Sequence, residues 1–523
     1  MKIKEQNINK ILFWLLAIST IVRTVLAAWL EFGNDEVYYW TYALYPDWSH
    51  FDHPPMVGWA IQLFSLNLLL DNELFIRLAS VVFMTAITYI IFRIGKEIKD
   101  ARAGLYAALL FTASIYAFVI TGIFILPDTP LMLFWLLAIW MAIRSLSREP
   151  VEEPKGRYLL LFGLFAGLAM LSKYSGIFLW VGMGLFILFF NRKQLRNPYL
   201  YLALLISAIC CIPILYWNIQ NDFISFRFHG ERVGSGAINF STFGTELAGE
   251  FFYNNPVIFV LSIIAVIAAA KQSLQVDKSV QRLILCISLP MIVVFWAFSL
   301  TRPTLPHWNA PAYVLLILLT SIWLRDRNSD FEQLPHSITA AIAVLLLTLV
   351  IGVAEIKTGF IPLDKHTEPE MLGRDDFTLD MYGWRQLGKK FADFREEKIE
   401  EGLMQAEDGI VANQWFPLAH LDYYVARPLD MRAMALGQPE YIHKYLWINK
   451  ERGGFHLGEN YWFLTDSRYF KDPKTTYRWY FKDIELVGTI EIERCGKPAK
   501  NVFVYTCKNL RAEPKISLPS ETK

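Results

Sequence analysis

Two adjacent acids, Asp35 and Glu36, stand directly after the first long apolar run, in a stretch reading EFGNDEVYYWTYALYPDWSHFDHPPMVGWAIQLF that contains neither Lys nor Arg. A carboxylate pair at a membrane surface, on a segment with no cation of its own, suits a general base or a metal site better than packing. The aromatics that follow, Tyr38, Tyr39, Trp40, Tyr42, Tyr45 and Trp48, fit an interfacial belt as well as a cover for a substrate. Farther along come His50, Asp52 and His53, then Pro54 and Pro55. Each proline restricts the residue before it to extended conformations, so this segment is stiff and fixes the direction of its polar side chains. Asp52 and His53 could ligate a divalent cation, the one candidate cofactor, although their spacing matches no strong zinc signature.

Three further places carry charge where chemistry could use it. Asp128, in LPDTPLMLFW, opens an apolar run; Pro127 and Pro130 make it a natural first-turn acid of a helix. Lys173 and Tyr174 occupy a short polar break in GLAMLSKYSG, and Arg302, His307 and Trp308 occur in TRPTLPHW. Cations at the ends of membrane helices commonly snorkel. Placed near the outer leaflet, they could equally hold a lipid phosphate.

The elements that position these residues are membrane spans. Of 523 residues, 54% are hydrophobic and only 19% charged, below the quarter usual for soluble domains. A net charge of +1, with no basic block interleaved with aromatics, excludes nucleic acid as a partner. Runs of roughly the 20 residues a bilayer requires occur near 11–30, 74–95, 103–124, 128–147, 199–217, 256–270, 283–300, 308–324 and 338–356. Residues 158–171 and 177–190 form a hairpin of two shorter helices, because basic clusters stand at both of its ends. The expected fold is therefore an α-helical polytopic membrane protein of about eleven transmembrane helices, residues 1–356, whose first outer loop covers 31–73. Within that loop, 56–70 should lie along the interface as an amphipathic helix. The first span reads as an anchor, since no small-x-small cleavage site follows it.

Charge sets the orientation. Lys2, Lys4, Lys10, Arg93, Lys96, Lys99, Arg102, Arg144, Arg148, Lys155, Arg157, Arg192, Lys193, Arg196, Lys271, Lys278, Arg282, Arg325 and Arg327 fall on one side; Lys173, Arg227, Arg232 and Arg302 fall on the other. The positive-inside rule then puts the N-terminus in the cytoplasm and residues 357–523 outside. That last segment is charged, lacks a spanning run, and reads as a soluble α/β domain: Trp384, Leu387, Phe391 and Phe394 recur at helical spacing, while GIVAN, YWFLTD and NVFVY read as strands. Cys495 and Cys507 bracket a possible hairpin and are expected to form a disulfide on the oxidising side.

Acids on one set of outer loops, cations on another, and many helices able to admit an isoprenoid tail fit sugar transfer from a polyprenyl phosphate. The order of these motifs, from Asp35-Glu36 through FDHPPMVGW, LPDTPL and GLAMLSKYSG to TRPTLPHWNAPAY, resembles the C-type glycosyltransferase superfamily, and within it the bacterial relatives of protein O-mannosyltransferases and lipid A aminoarabinose transferase. The resemblance covers about residues 8–325. It implies an inverting glycosyltransferase of the bacterial inner membrane, with Asp35, Glu36 and Asp128 catalytic. Tyr39, His50, Asp52, His53, Lys173, Tyr174, Arg302 and His307 would bind substrate, Lys173 and Arg302 holding the donor phosphate. At the position where aminoarabinose transferases usually show Lys before the prolines, this chain has His53. Implied partners are the polyprenyl-phosphate sugar donor, membrane lipids and a glycan, lipid or protein acceptor. A lipid-linked glycan ligase or polymerase is the alternative, on the loop from Asn218 to Asn255 with Arg227, His229, Glu231 and Arg232. A secondary transporter fits less well, because the ionisable residues gather at span ends, Arg23 being the main exception, and no internal repeat is visible.

Overall fold

The computed structural model describes residues 4–146, 156–231, 237–328 and 333–512. Lys2, Arg148, Lys155 and Arg232, used above for orientation, lie outside the described residues. The chain divides into two compact units, Met1–Trp29 with Pro46–Thr348, and Leu30–Tyr45 with Leu349–Lys523. This differs from a boundary at 356 and 357, because the start of the first outer loop groups with the C-terminal part. In chain order the helices are α1 Ile8–Trp29, α2 Asn34–Leu44, α3 Met56–Phe64, α4 Glu73–Ile98, α5 Ala101–Ala113, α6 Asp128–Leu146, α7 Gly156–Ser172, α8 Phe178–Phe190, α9 Pro198–Cys210, α10 Ile212–Gln220, α11 Ile224–Glu231, α12 Phe240–Tyr253, α13 Pro256–Ala270, α14 Lys278–Ser299, α15 Ala310–Arg327, α16 His336–Thr358 and α17 Trp384–Glu400.

The first unit is helical. Among the described residues, five helices are long and apolar enough to cross a membrane (Glu5–Trp29, α4, α6, α14 and α16), or up to seven if each of two bent pairs is one span. The apolar stretch 103–124 is not one rod: α5 stops at Ala113, Ser114 turns extended, and a separate π-helical turn covers Tyr116–Ile120. The stretch 199–217 bends by 41° between α9 and α10, where Pro213 can supply no backbone donor to the preceding turn. A sharper break, 102°, separates α12 from α13, at an Asn255 with φ 69° followed by Pro256. α15 is buried on every face from Ala310 to Ile322, as a helix apolar all round must be. In contrast, Phe13, Trp14, Ile18, Ile21 and Val25 of α1 are exposed, a surface that lipid would cover. α7 and α9 approach closely because Gly163 and Gly167, four apart, present no side chain to Ala203 and Ser207, the small-residue contact that membrane helices use in place of hydrophobic drive.

The expected interfacial helix over 56–70 is shorter. α3 ends at Phe64, and Leu66, Asn67 and Leu68 turn left-handed, with φ of 53°, 55° and 62°. The Ser65 hydroxyl accepts the Leu68 amide at 2.9 Å and helps to hold this turn.

The second unit contains a five-stranded sheet, made of β1 Gly409–Ala412, β2 Ala433–Ala435, β3 Tyr461–Asp466, β4 Phe481–Arg494 and β5 Lys497–Leu510 in the order β2-β1-β3-β5-β4. β2, β1 and β3 are parallel, and β5 and β4 extend the sheet antiparallel. All residues of β1 and β3 are buried, as parallel strands covered on both faces should be. α17 packs Trp384, Leu387 and Phe391 inward, with Phe391 edge-on to Trp462 of β3 at 5.7 Å.

The expected disulfide is not formed. Cys495 sits exposed at the left-handed turn of the β4–β5 hairpin, while Cys507 is buried far along β5, opposite Ile484 and Tyr461. Ten residues of strand between the turn and Cys507 span roughly 34 Å, so the two sulfurs cannot meet.

Trp384 is the centre of this unit. His420 stacks on its ring at 4.3 Å, the Lys500 ammonium lies 3.9 Å from the ring centroid, and its backbone N–H donates to Glu31 at 2.7 Å. Burial pushes His420 down to about 3, so its ring is neutral, and its Nε2 hydrogen-bonds the Phe32 carbonyl at 3.0 Å. A group whose folded pKa lies below its unfolded value of about 6.5 contributes fully above pH 6.5 and loses that contribution as pH falls toward 3. Trp fluorescence during denaturation should therefore show the C-terminal unit weakening between pH 7.5 and 5. His420→Gln, which keeps a donor to Phe32 but cannot titrate, should flatten that dependence; an unchanged slope would remove His420 from the account of acid lability.

Candidate active site

In the first unit the sequence folds three motifs onto one carboxylate. Asp128 begins α6 and is buried. Lys173 follows α7 in extended conformation, closing a turn in which the Gly176 amide returns to the Lys173 carbonyl at 2.9 Å. A Cβ on Gly176 would strike the backbone of Ala169 and Met170, so the SKYSG turn requires glycine there. The result is a Lys173 ammonium 2.7 Å from Asp128 Oδ2, with the Tyr116 hydroxyl donating to Oδ1 at 2.9 Å. Tyr116 comes from the π-helical turn that interrupts the third apolar run, a break the apolar composition of 103–124 conceals.

His307 and His53 join this cluster electrostatically: Asp128 and Lys173 act on both rings. Both residues keep some surface, but their rings are enclosed by packed protein, and this desolvation pushes His307 down to about 4 and His53 to about 3. Both are therefore neutral imidazoles at neutral pH. His53 lies 6.3 Å from the His229 ring, and His229 packs on Tyr174 at 5.2 Å while its Nε2 meets the Asp52 carbonyl at 2.8 Å. His50 is buried, its amide bonded to the His53 carbonyl and its own carbonyl accepting Ser225 at 2.9 Å. The HFDHPP segment is thus seated on α11. Glu231 ends that helix with a side chain that is not described, and Arg232 lies outside the described residues. Among the described residues, the group of three acids and imidazoles close enough to share one ion is Asp364, His366 and Asp375. Arg302 lies over the Phe298 ring at 5.1 Å.

A buried network in the same unit was not anticipated. Glu246 and Glu250, four apart on α12, are both buried. Glu250 accepts from Trp296 at 2.9 Å, from Tyr313 at 2.7 Å and from Asn309, and Glu246 accepts Thr304 at 2.8 Å. Because these donors come from the end of α14, the TRPTLPHW turn and the start of α15, the two acids fix the loop that carries Arg302 and His307. The i, i+4 pair of acids within an apolar helix was the available signal.

Asp35, Glu36 and Tyr39 belong to the second unit. Gly33 precedes α2, and Glu36 reaches back to the Gly33 amide at 2.9 Å, capping the helix. Glu36 is buried in that capping position, whereas Asp35, in the same turn, is exposed. Tyr39 is buried against Tyr38 and Tyr42 at 5.6 and 5.3 Å. The segment is clamped at both ends by its own unit. Before α2, the Phe32 amide donates to the Tyr424 hydroxyl at 2.8 Å and its carbonyl meets His420. After it, Lys444 bonds the Tyr45 carbonyl, and Arg452 donates to the Tyr45 hydroxyl at 3.0 Å.

Removing one partner of a buried ion pair costs about 3–5 kcal/mol, because the other charge is left uncompensated. Lys173→Met should lower the thermal unfolding temperature of the detergent-solubilised protein markedly. Asp128→Asn combined with Lys173→Met should recover part of the loss. A single variant as stable as wild type would mean that the pair is not buried as described.

Residues 52–217 match the family described as dolichyl-phosphate-mannose-protein mannosyltransferase. The chain is 23% identical over 305 residues to lipid A galacturonosyltransferase RgtD of Rhizobium johnstonii, an alignment covering 56% of this chain and 60% of that relative. The match thus spans less than two thirds of the relative's length. Its fold is that of ArnT from Cupriavidus metallidurans. The TM-score is 0.62 to the undecaprenyl phosphate complex, covering 94% of this chain and 97% of the other, and 0.64 to the apo state, covering 95% and 98%, each at 13% identity. The chain thus has the fold of ArnT and, over residues 52–217, the sequence pattern of that mannosyltransferase family.

Proposed function

We propose that this protein moves a sugar from a polyprenyl-phosphate donor to a hydroxyl on a glycan, lipid or protein acceptor at the outer face of a bacterial inner membrane. In this reading eleven segments cross the membrane, the N-terminus is cytoplasmic, and residues 357–523 are periplasmic. The relatives support the donor class: ArnT was crystallised with undecaprenyl phosphate, and RgtD is named for transfer of galacturonate to lipid A.

The observation that carries the reading is the state of the carboxylates. Asp128 is neutralised by Lys173 and Tyr116, and Glu36 caps α2, whereas Asp35 is exposed at the head of α2. In an inverting transfer the acceptor oxygen attacks the anomeric carbon, the bond from that carbon to the phosphate oxygen breaks, and the lipid phosphate departs with the electron pair. The acceptor proton goes to a carboxylate, which Asp35 supplies. Protonating Asp128 would instead break a buried ion pair. Lys173 has three N–H donors, one of which is directed to Asp128, so it can also face the departing phosphate. Arg302, on the loop fixed by Glu246 and Glu250, supplies a second cation.

The test is a donor-consumption assay in proteoliposomes, supplying polyprenyl-phosphate sugars one at a time with extracted outer-membrane glycolipid. One donor should be consumed with release of polyprenyl phosphate and labelling of acceptor. Arg302→Met should raise the donor KM at least tenfold with a smaller change for acceptor. If no lipid-phosphate sugar is consumed, or if Arg302→Met leaves the donor KM unchanged, the donor assignment is wrong.

A further inference from the structure

The C-terminal unit has a cavity of about 400 Å³, within the range of roughly 300–1,000 Å³ typical of small-ligand sites. It opens at the carboxyl ends of the three parallel strands. Asn413 follows β1, Gln438 follows β2, and Lys471, Tyr477 and Tyr480 lie beyond β3. The chain crosses from β1 to β2 on one side and then back over β1 to β3 on the other, and open α/β sheets form their ligand crevices where the strand order reverses in this way.

The lining selects a chemistry. Tyr441 is 57% exposed, and the Tyr477 and Tyr480 rings are 6.3 Å apart. Tyr477 is held against the floor by its hydroxyl, which donates to the Leu436 carbonyl at 2.8 Å. Tyrosine rings offer rigid amphipathic faces at low entropic cost, suited to the C–H face of a pyranose. The carboxamides of Asn413 and Gln438 each donate and accept, matching sugar hydroxyls, and would be left unsatisfied by a purely apolar ligand. Lys471 adds one positive charge to an otherwise neutral lining.

We infer that this cavity binds a pyranose saccharide carrying one anionic group, phosphate or carboxylate, and holds the acceptor in that way. The inference rests on the glycosyl-transfer reading for the word acceptor, but the binding itself is independent of catalysis.

Saturation-transfer NMR on the full-length protein in nanodiscs tests it with three probes: N,N′-diacetylchitobiose, its 1-phosphate, and cellobiouronate, a disaccharide with a single carboxylate. At least one anionic probe should bind, and which of the two binds identifies the anionic group. Lys471→Met should reduce its affinity at least fivefold, to that of the neutral disaccharide. Tyr441→Ala combined with Gln438→Ala should weaken every probe. Asp35→Asn should bind as wild type does, so a failed transfer assay and a failed saccharide site read out separately. The inference is overturned if no probe binds, if neutral and anionic probes bind equally, or if the cavity variants bind like wild type.

Discussion

Burying a charged carboxylate at the head of a membrane helix is costly unless it is paired, and the Asp128–Lys173 contact at 2.7 Å is the constraint around which the first unit is arranged. It joins the start of α6 to the end of α7, and the Tyr116 bond brings in the π-helical turn. Desolvation that the pair tolerates is what keeps His53 and His307 neutral beside it. Asp128 is charge-paired in the interior, whereas Asp35 is exposed on a clamped helix, and this contrast is the ground on which Asp35 is proposed as the base.

The second unit contributes rigidity. α2 carries its exposed acid on a segment fixed before the helix by Phe32 and after it by Tyr45, with partners from the C-terminal part of the chain. A catalytic group must be held within a fraction of an ångström to be useful. Side-chain contacts of Trp384, His420, Tyr424 and Arg452 therefore matter to an acid nearly four hundred residues earlier in sequence.

Much of this was legible from residue types. Apolar runs located the helices because bilayer thickness fixes their length, and motif order carried a resemblance that the family match over residues 52–217 supports. What escaped depended on contacts between distant segments. The hairpin around Cys495 and Cys507 was visible, but register decides which residues face each other, and it placed Cys507 opposite Ile484. Composition could not show that 103–124 breaks after Ala113, because both pieces are equally apolar. Nor could it separate Asp35 from Glu36: only the helix start, with Gly33 ahead of it, shows that the second acid is a cap. Nor could it show that Lys173 is paired with Asp128.

The division of roles between Asp35 and Asp128 is tested most directly by single-turnover transfer with purified Asp35→Asn protein preloaded with polyprenyl-phosphate sugar. This change keeps the size and hydrogen bonding of the side chain and removes its basicity, so donor loading should match wild type. Transfer should fall by about a hundredfold or more, the contribution of a positioned general base. Transfer at the wild-type rate would contradict the assignment and return the proton to another group.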